Sequence, residues 1–264
     1  MRAVILAAGR GHRLREVTAD RPKCLAQVGD CTLLARQMAS LRRLGLDRIV
    51  VVAGFNANSV RLACDRDVEL VINTRYHSTN SLYSLWLARN LLKEGFVVLN
   101  CDVLFHDQLL SDLVTARDED ALLMCANRGN SYSDEEMKIR VRGGCVSAIA
   151  KTLPANDVDG ENVGIAKFGA AGAALLFEQM SSLLAQGGTR DWLPSAFAAF
   201  ARLRPLRVVD TRGFPWTEID FPEDYERACR DVLPAIVSTH PGAERRRHVV
   251  SRRDQPQAGS LQHV

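Results

Sequence analysis

The chain predicts an α/β fold, a mostly parallel sheet with helices on both faces and a small antiparallel β appendage. Three observations carry that prediction. Short, continuous apolar runs recur, RAVILAA (2–8), DRIVVVA (47–53) and FVVLN (96–100), and strands buried on both faces read this way. Between the first two runs, Leu33, Leu34, Met38, Leu41 and Leu44 recur at helical spacing and close at Gly45, which completes a strand, helix, strand unit. From residue 135 the texture changes, and MKIRV, Gly143-Gly144 and CVSAIAK spell a β-hairpin.

Taken in order, the first strand runs into a glycine-rich loop, and a helix starts only near residue 31. After the strand at 47–53 the spacing predicts a helix over 56–64, a short strand over 68–72, a helix over 80–92 and the strand at 96–100. An amphipathic helix follows Asp107, and ALLMCA (121–126) is again a strand. The hairpin is expected to lie over one end of the sheet. Helices over 171–186 and 190–203, the strand LRVVD (206–210) and a last helix from Pro222 to about 236 complete the list. Pro222 suits a first helical turn, where its missing N–H is not needed. Residues 1–236 are thus expected to form one domain, and 237–264, arginine-rich and without periodicity, a basic disordered tail.

Of the 264 residues, 47% are hydrophobic, enough for a full core. The net charge of +3 resides in the tail, where five arginines face Glu244 and Asp254; the body holds 29 residues of each sign. A neutral body argues against a broad nucleic-acid surface, which needs concentrated basic charge. The seven cysteines are odd in number and contain no CxxC pair, so neither a zinc site nor a disulfide framework is suggested, and a cytoplasmic setting is expected. The N-terminus reads straight into a strand without a signal-peptide pattern, and no apolar run reaches the roughly 18 residues of a membrane span. A homodimer is compatible with all of this.

The stretch LAAGRGHRL (6–14), followed by RPKCL (21–25), carries the first functional signal. In a dinucleotide-binding fold the helix begins inside the glycine motif; here it begins about twenty residues later, and there is no GxxxxGK[ST] either. What remains is a long loop with Arg10, Arg13 and Lys23, whose glycines allow backbone N–H groups close to a ligand. Such a loop wraps a triphosphate, or simply turns with its cations solvated.

The stretch resembles the LAAGxGxRx…PKxL signature of sugar-phosphate-type nucleotidyltransferases. That resemblance implies a Rossmann-like fold without the dinucleotide fingerprint, of the nucleotide-diphospho-sugar transferase-like kind. It places Leu6, Ala8, Gly9, Arg10 and Gly11 at the nucleotide and gives Arg10 and Lys23 phosphate-binding, catalytic roles. A bound triphosphate also needs a divalent metal to neutralise developing charge, and Mg2+ prefers a few carboxylates. Asp102 directly follows the strand FVVLNC at the carboxyl edge of the sheet, and Asp220 lies in WTEIDFPEDY just before the last helix. The resemblance assigns both to metal binding. A loop aspartate and a helix N-cap are their plain structural alternatives, with Glu218 as understudy to Asp220.

A narrower resemblance, to the choline-phosphate and phosphonate cytidylyltransferases of bacteria, is carried by NTRYHSTNSLYSLWLAR (73–89), MKIRV (137–141) and EIDFPEDYERA (218–228). It implies nucleotide contacts at Asn80, a candidate N-cap, and Ser81. Lys138 and Lys151 are candidates to neutralise the acceptor's phosphate or phosphonate, Trp216 to meet an acceptor ammonium by cation–π contact, and Glu218 or Glu161 to supply its counter-charge. Tyr83, Trp86 and Trp192 read as core or rim residues, His12 and His77 as surface. The expected activity is Mg2+-dependent transfer of CMP from CTP to a small phosphate or phosphonate, with release of pyrophosphate. A sugar-1-phosphate or polyol-phosphate nucleotidyltransferase is the alternative enzyme, and a non-catalytic nucleotide-binding regulatory module the alternative of another class.

Overall fold

The computed structural model describes residues 1–19, 21–126 and 135–239. Strand β1 (Arg2–Ala7) is followed by a short helix α1 (Arg15–Thr18), a two-residue ribbon of β2 (Gln27–Val28) and β3 (Cys31–Thr32), and helix α2 (Leu33–Arg43). Thr32 caps α2 by accepting from the Ala35 N–H at 3.2 Å. Then come β4 (Ile49–Ala53), α3 (Ala57–Ala63), β5 (Glu69–Ile72), α4 (Ser81–Leu87), β6 (Phe96–Asn100), β7 (Val103–Phe105), α5 (Asp107–Thr115) and β8 (Ala121–Ala126). The second half holds β9 (Lys138–Arg142), β10 (Cys145–Ala150), β11 (Gly160–Phe168), α6 (Ala170–Ala185), α7 (Leu193–Ala201), β12 (Arg207–Asp210) and β13 (Trp216–Glu218). Helix α8 (Pro222–Arg227) widens into a π-turn over Ala228–Val232 and continues as α9 (Leu233–Thr239). The helix thus runs past 236, and the expected tail beyond it lies outside the described residues.

One nine-stranded sheet, in the order β5-β4-β1-β6-β11-β8-β12-β10-β9, forms the middle layer. Its first four strands are mutually parallel, as the apolar runs required. Alternate residues of β1 enter two cores. Val4 and Leu6 join the one packed against α4, α6 and α7; Ala3, Ile5 and Ala7 join the one under α2 and α5. No helix among the described residues is long and apolar enough to cross a membrane.

Two features differ from the sequence expectation. The hairpin β9–β10 forms, but it extends the sheet at its edge through β12 instead of lying over one end. Strand β11, antiparallel between β6 and β8, was not anticipated. Its sequence GENVGIAKF shows no two-residue alternation, because the register against β8 jumps between Asn162 and Ala166. Gly164 lies in this bulge at φ 82°, and an added Cβ would stand 2.7 Å from Asn100 Nδ2, so no other residue fits without strain.

Candidate active site

Strand β6 ends at the sheet's carboxyl edge, and the chain turns through Cys101 and Asp102 into β7. Strand β13 pairs antiparallel with β7, setting Glu218 opposite Val103 and carrying Asp220 one step further. The Ile219 N–H closes this junction on the Asp102 carbonyl at 3.0 Å. One oxygen from each of Asp102, Glu218 and Asp220 therefore lies within 4.8 Å of the other two.

Lys23 enters the same space from the opposite direction. It heads a one-turn 3-10 helix whose neighbours Cys24 and Leu25 are buried, which anchors the lysine stem. Gly11, in the left-handed region at φ 65°, lies so close that an added Cβ would stand 2.9 Å from Lys23 Cβ. The Lys23 ammonium donates to Asp102 Oδ2 at 2.8 Å and to Asp220 Oδ1. Burial opposes its charge, but the carboxylates of Asp102 and Asp220 outweigh that, and its pKa is held above the ordinary lysine value. Glu218 is reached by solvent yet crowded by the cleft walls. That crowding, followed by the charges of Asp102 and Asp220, pushes its carboxyl up to about 8. Asp220 is not the helix cap; that work falls to Asp224, whose carboxylate accepts from the Phe221 N–H at 3.0 Å.

Oxygen-only donors at this spacing suit a hard divalent cation. Asp102 Oδ1 is buried without a hydrogen-bond partner among the described residues, so the cluster has ligand capacity to spare.

The cluster lies in a cleft of about 400 Å³, a volume suited to a nucleotide-sized ligand. Its lining includes Leu6, Ala8, Gly9, Gly11, Asn80 and Ser81, as expected for the nucleotide end. Asn80 caps α4, accepting from the Ser81 N–H at 2.8 Å, while Ser81 Oγ accepts from the Leu193 N–H at 2.8 Å and so ties α4 to α7. Lys151 also lines the cleft; its ammonium is 3.2 Å from Glu135 and 5.4 Å from the Trp192 ring centre.

Other expected residues lie elsewhere. Arg10 stacks over Phe55, its Cζ 5.0 Å from the ring centre, and does not line the cleft; Arg13 does. Between the two arginines, Gly11 is left-handed and leads into the 3-10 turn His12–Leu14. Lys138 is buried and donates to the Lys151 carbonyl at 2.8 Å, so it ties the hairpin together and does not line the cleft. Trp216 packs against the core beneath α2 and α5 and does not line the cleft. Glu161 is likewise absent from the lining; burial, then the charge of Glu136, pushes its carboxyl up to about 7.

Three residues emerge only here. His12, expected on the plain surface, lines the cleft. Glu135 spans its mouth, bridging Arg13 at 3.1 Å and Lys151 at 3.2 Å. Asn73, buried at the end of β5, donates to Thr79 Oγ1 and Ser84 Oγ, both at 3.0 Å, which braces the 73–84 wall.

The MobA-like NTP transferase domain family matches residues 3–203. The chain is 34% identical over 247 residues to the bifunctional IPC transferase and DIPP synthase of Rubrobacter xylanophilus, which covers 91% of this chain and 54% of that protein. It therefore spans about half of that relative's length. The CTP:phosphoglutamine cytidylyltransferase of Campylobacter jejuni is 24% identical over 250 residues, 86% of this chain and 98% of the relative. Among solved structures, the inositol-1-phosphate CTP transferase from T. maritima superposes with a TM-score of 0.74 at 23% identity, covering 90% of this chain and 96% of that one. The CTP:phosphocholine cytidylyltransferase from Streptococcus pneumoniae gives 0.71 at 22%, covering 86% and 96%. At these identities the two structures share the fold.

Proposed function

The chain belongs to the MobA-like NTP transferase family and is a nucleotidyltransferase; on that premise we propose that it transfers CMP from CTP to a small phosphate or phosphonate and releases pyrophosphate. The observation that carries this reading is Lys23 held between Asp102 and Asp220 in the ligand-sized cleft. CTP is favoured because it stands in the names of the Campylobacter relative and of both solved structures.

The acceptor's anionic oxygen is already ionised at neutral pH, so the reaction needs no general base. A bond forms from that oxygen to the α-phosphorus as the bond from α-phosphorus to the bridging oxygen breaks, and pyrophosphate leaves with the electron pair. The protein's task is positioning and charge stabilisation. Lys23 would pair with acceptor and α-phosphate, while Arg13, Lys151 and the amides of the glycine loop meet the remaining phosphate charge. With Lys23 charged, the two carboxylates of Asp102 and Asp220 still leave the cluster net negative, and they would hold a magnesium ion that neutralises triphosphate charge.

The relatives' names carry different acceptors on one chemical theme, a phosphate group bearing a polar organic residue. Within that theme a polyol phosphate is the second reading, favoured by the inositol-1-phosphate enzyme, whose fold matches over 90% of this chain. A pyrophosphate-release screen tests both, crossing the four ribonucleoside triphosphates with phosphocholine, 2-aminoethylphosphonate, inositol 1-phosphate and glucose 1-phosphate. CTP with one of the first three is expected to lead; UTP with glucose 1-phosphate leading would end the proposal.

A further inference from the structure

Helix α2 presents an apolar row to the sheet, Leu34, Met38 and Leu41, with one buried amide among them, Gln37, which is 2% exposed. Its Nε2 donates to two main-chain carbonyls, Asn100 at 2.9 Å and Val103 at 2.9 Å. Those carbonyls stand at either end of the turn that carries Asp102. The rest of that turn is fixed by the Cys101 N–H on the Leu6 carbonyl at 3.3 Å and by the Asp102 carbonyl under Ile219. Gln37 Oε1 has no partner among the described residues, so both of the amide's hydrogen bonds go to this one turn. An amide is costly in an apolar layer unless its bonding is needed there. The side chain faces a second hollow between α2 and α9 and not the catalytic cleft, so it meets no substrate.

We propose that Gln37 is a positioning residue that fixes Asp102 from beneath, an inference that rests on Asp102 being the metal-binding carboxylate proposed above. Support from behind a ligating carboxylate has a recognisable kinetic signature: loss of such outer partners costs about 10- to 100-fold in metal affinity or activity.

The test compares Gln37→Met, which keeps the shape and removes the donor, with Gln37→Asn, whose shorter amide reaches one carbonyl at most. Steady-state kinetics and direct Mn2+ titration, followed by electron paramagnetic resonance with a non-hydrolysable CTP analogue present, are the readouts. Gln37→Met is expected to lower kcat and weaken Mn2+ binding by about 10- to 100-fold, with KM for CTP and acceptor within about twofold of wild type. Gln37→Asn is expected to fall between the two, and it carries the comparison if Gln37→Met does not fold. A variant that melts earlier but keeps kcat and Mn2+ affinity per folded molecule shows a structural brace only and overturns the inference. Asp102→Asn is the control that separates the two claims. If it keeps turnover and Mn2+ binding, the assignment of the metal carboxylate fails. If it loses both while Gln37→Met loses neither, only the positioning role fails.

Discussion

Replacing Lys23 with methionine removes one cation from between two carboxylates and leaves Asp102, Glu218 and Asp220 within 4.8 Å of each other. Lys23 is 8% exposed, so the isosteric apolar chain should pack in its place. Removing one partner of a fully buried pair costs about 3–5 kcal/mol, and an exposed pair is worth about 0–1 kcal/mol. Here the Asp102 side chain is 18% exposed and that of Asp220 34%, so the cost falls between those limits, about 2–3 kcal/mol. For a chain of this size that is a fall in melting temperature of about 4–12 °C in EDTA. Added Mg2+ supplies the missing positive charge, so it should raise the melting temperature of Lys23→Met more than that of wild type. Turnover, read by pyrophosphate release, should fall by about 10³-fold or more. Scanning calorimetry with and without Mg2+ decides the matter. Equal melting temperatures in EDTA, or an equal gain from Mg2+, would show that Lys23 does not neutralise the cluster.

Further outcomes are expected. Glu161 titrates near 7 in the fold against 4.5 for the free side chain. The folded state therefore holds more protons through that window, its contribution is intact below about 4.5, and it is lost as pH rises through 7. Glu161→Gln should flatten the decline and be the more stable protein at pH 8, as read by urea denaturation across pH. Lys138→Met should lower the melting temperature, because the Lys151 carbonyl loses its buried donor, and leave the acceptor KM unchanged; a raised KM would restore Lys138 to acceptor binding. Glu135→Gln releases Arg13 and Lys151 toward anionic ligands and should lower KM for CTP modestly, with the gain shrinking as salt is added because the pairs are exposed and screened. Gly164→Ala should cost about 1–3 kcal/mol in chemical denaturation, since its backbone is left-handed and Asn100 must move.

Much of this was legible in the residues themselves. Strands covered on both faces leave unbroken apolar runs, so β1, β4 and β6 were readable, and Asp102 followed from its place at the end of one of them. Lys23 and Asp220 were legible through the resemblance of their surroundings, and the structure brings both to Asp102. What escaped depends on geometry that local sequence does not encode. The β7–β13 ribbon is three residues long and its partners are 111 or more positions apart, so nothing local shows that Glu218, read as an acceptor counter-charge and as understudy to Asp220, joins Asp102 and Asp220 together. That Lys138 meets the Lys151 carbonyl and Trp216 the core depends on what distant parts of the chain pack against their strands, and local sequence does not show which of Arg10 and Arg13 lines the cleft. Strand β11 was hidden by its own bulge.

The anionic cluster also draws on distant stretches of chain: Lys23 from the beginning, Asp102 from the middle, Glu218 and Asp220 close to the last helix. A nascent polypeptide leaving the ribosome can close its first parallel strands long before the final ribbon is made, yet the carboxylate cluster is incomplete until that ribbon docks. Completion of the cluster is thereby tied to completion of synthesis, since a product cut short before residue 216 lacks both Glu218 and Asp220.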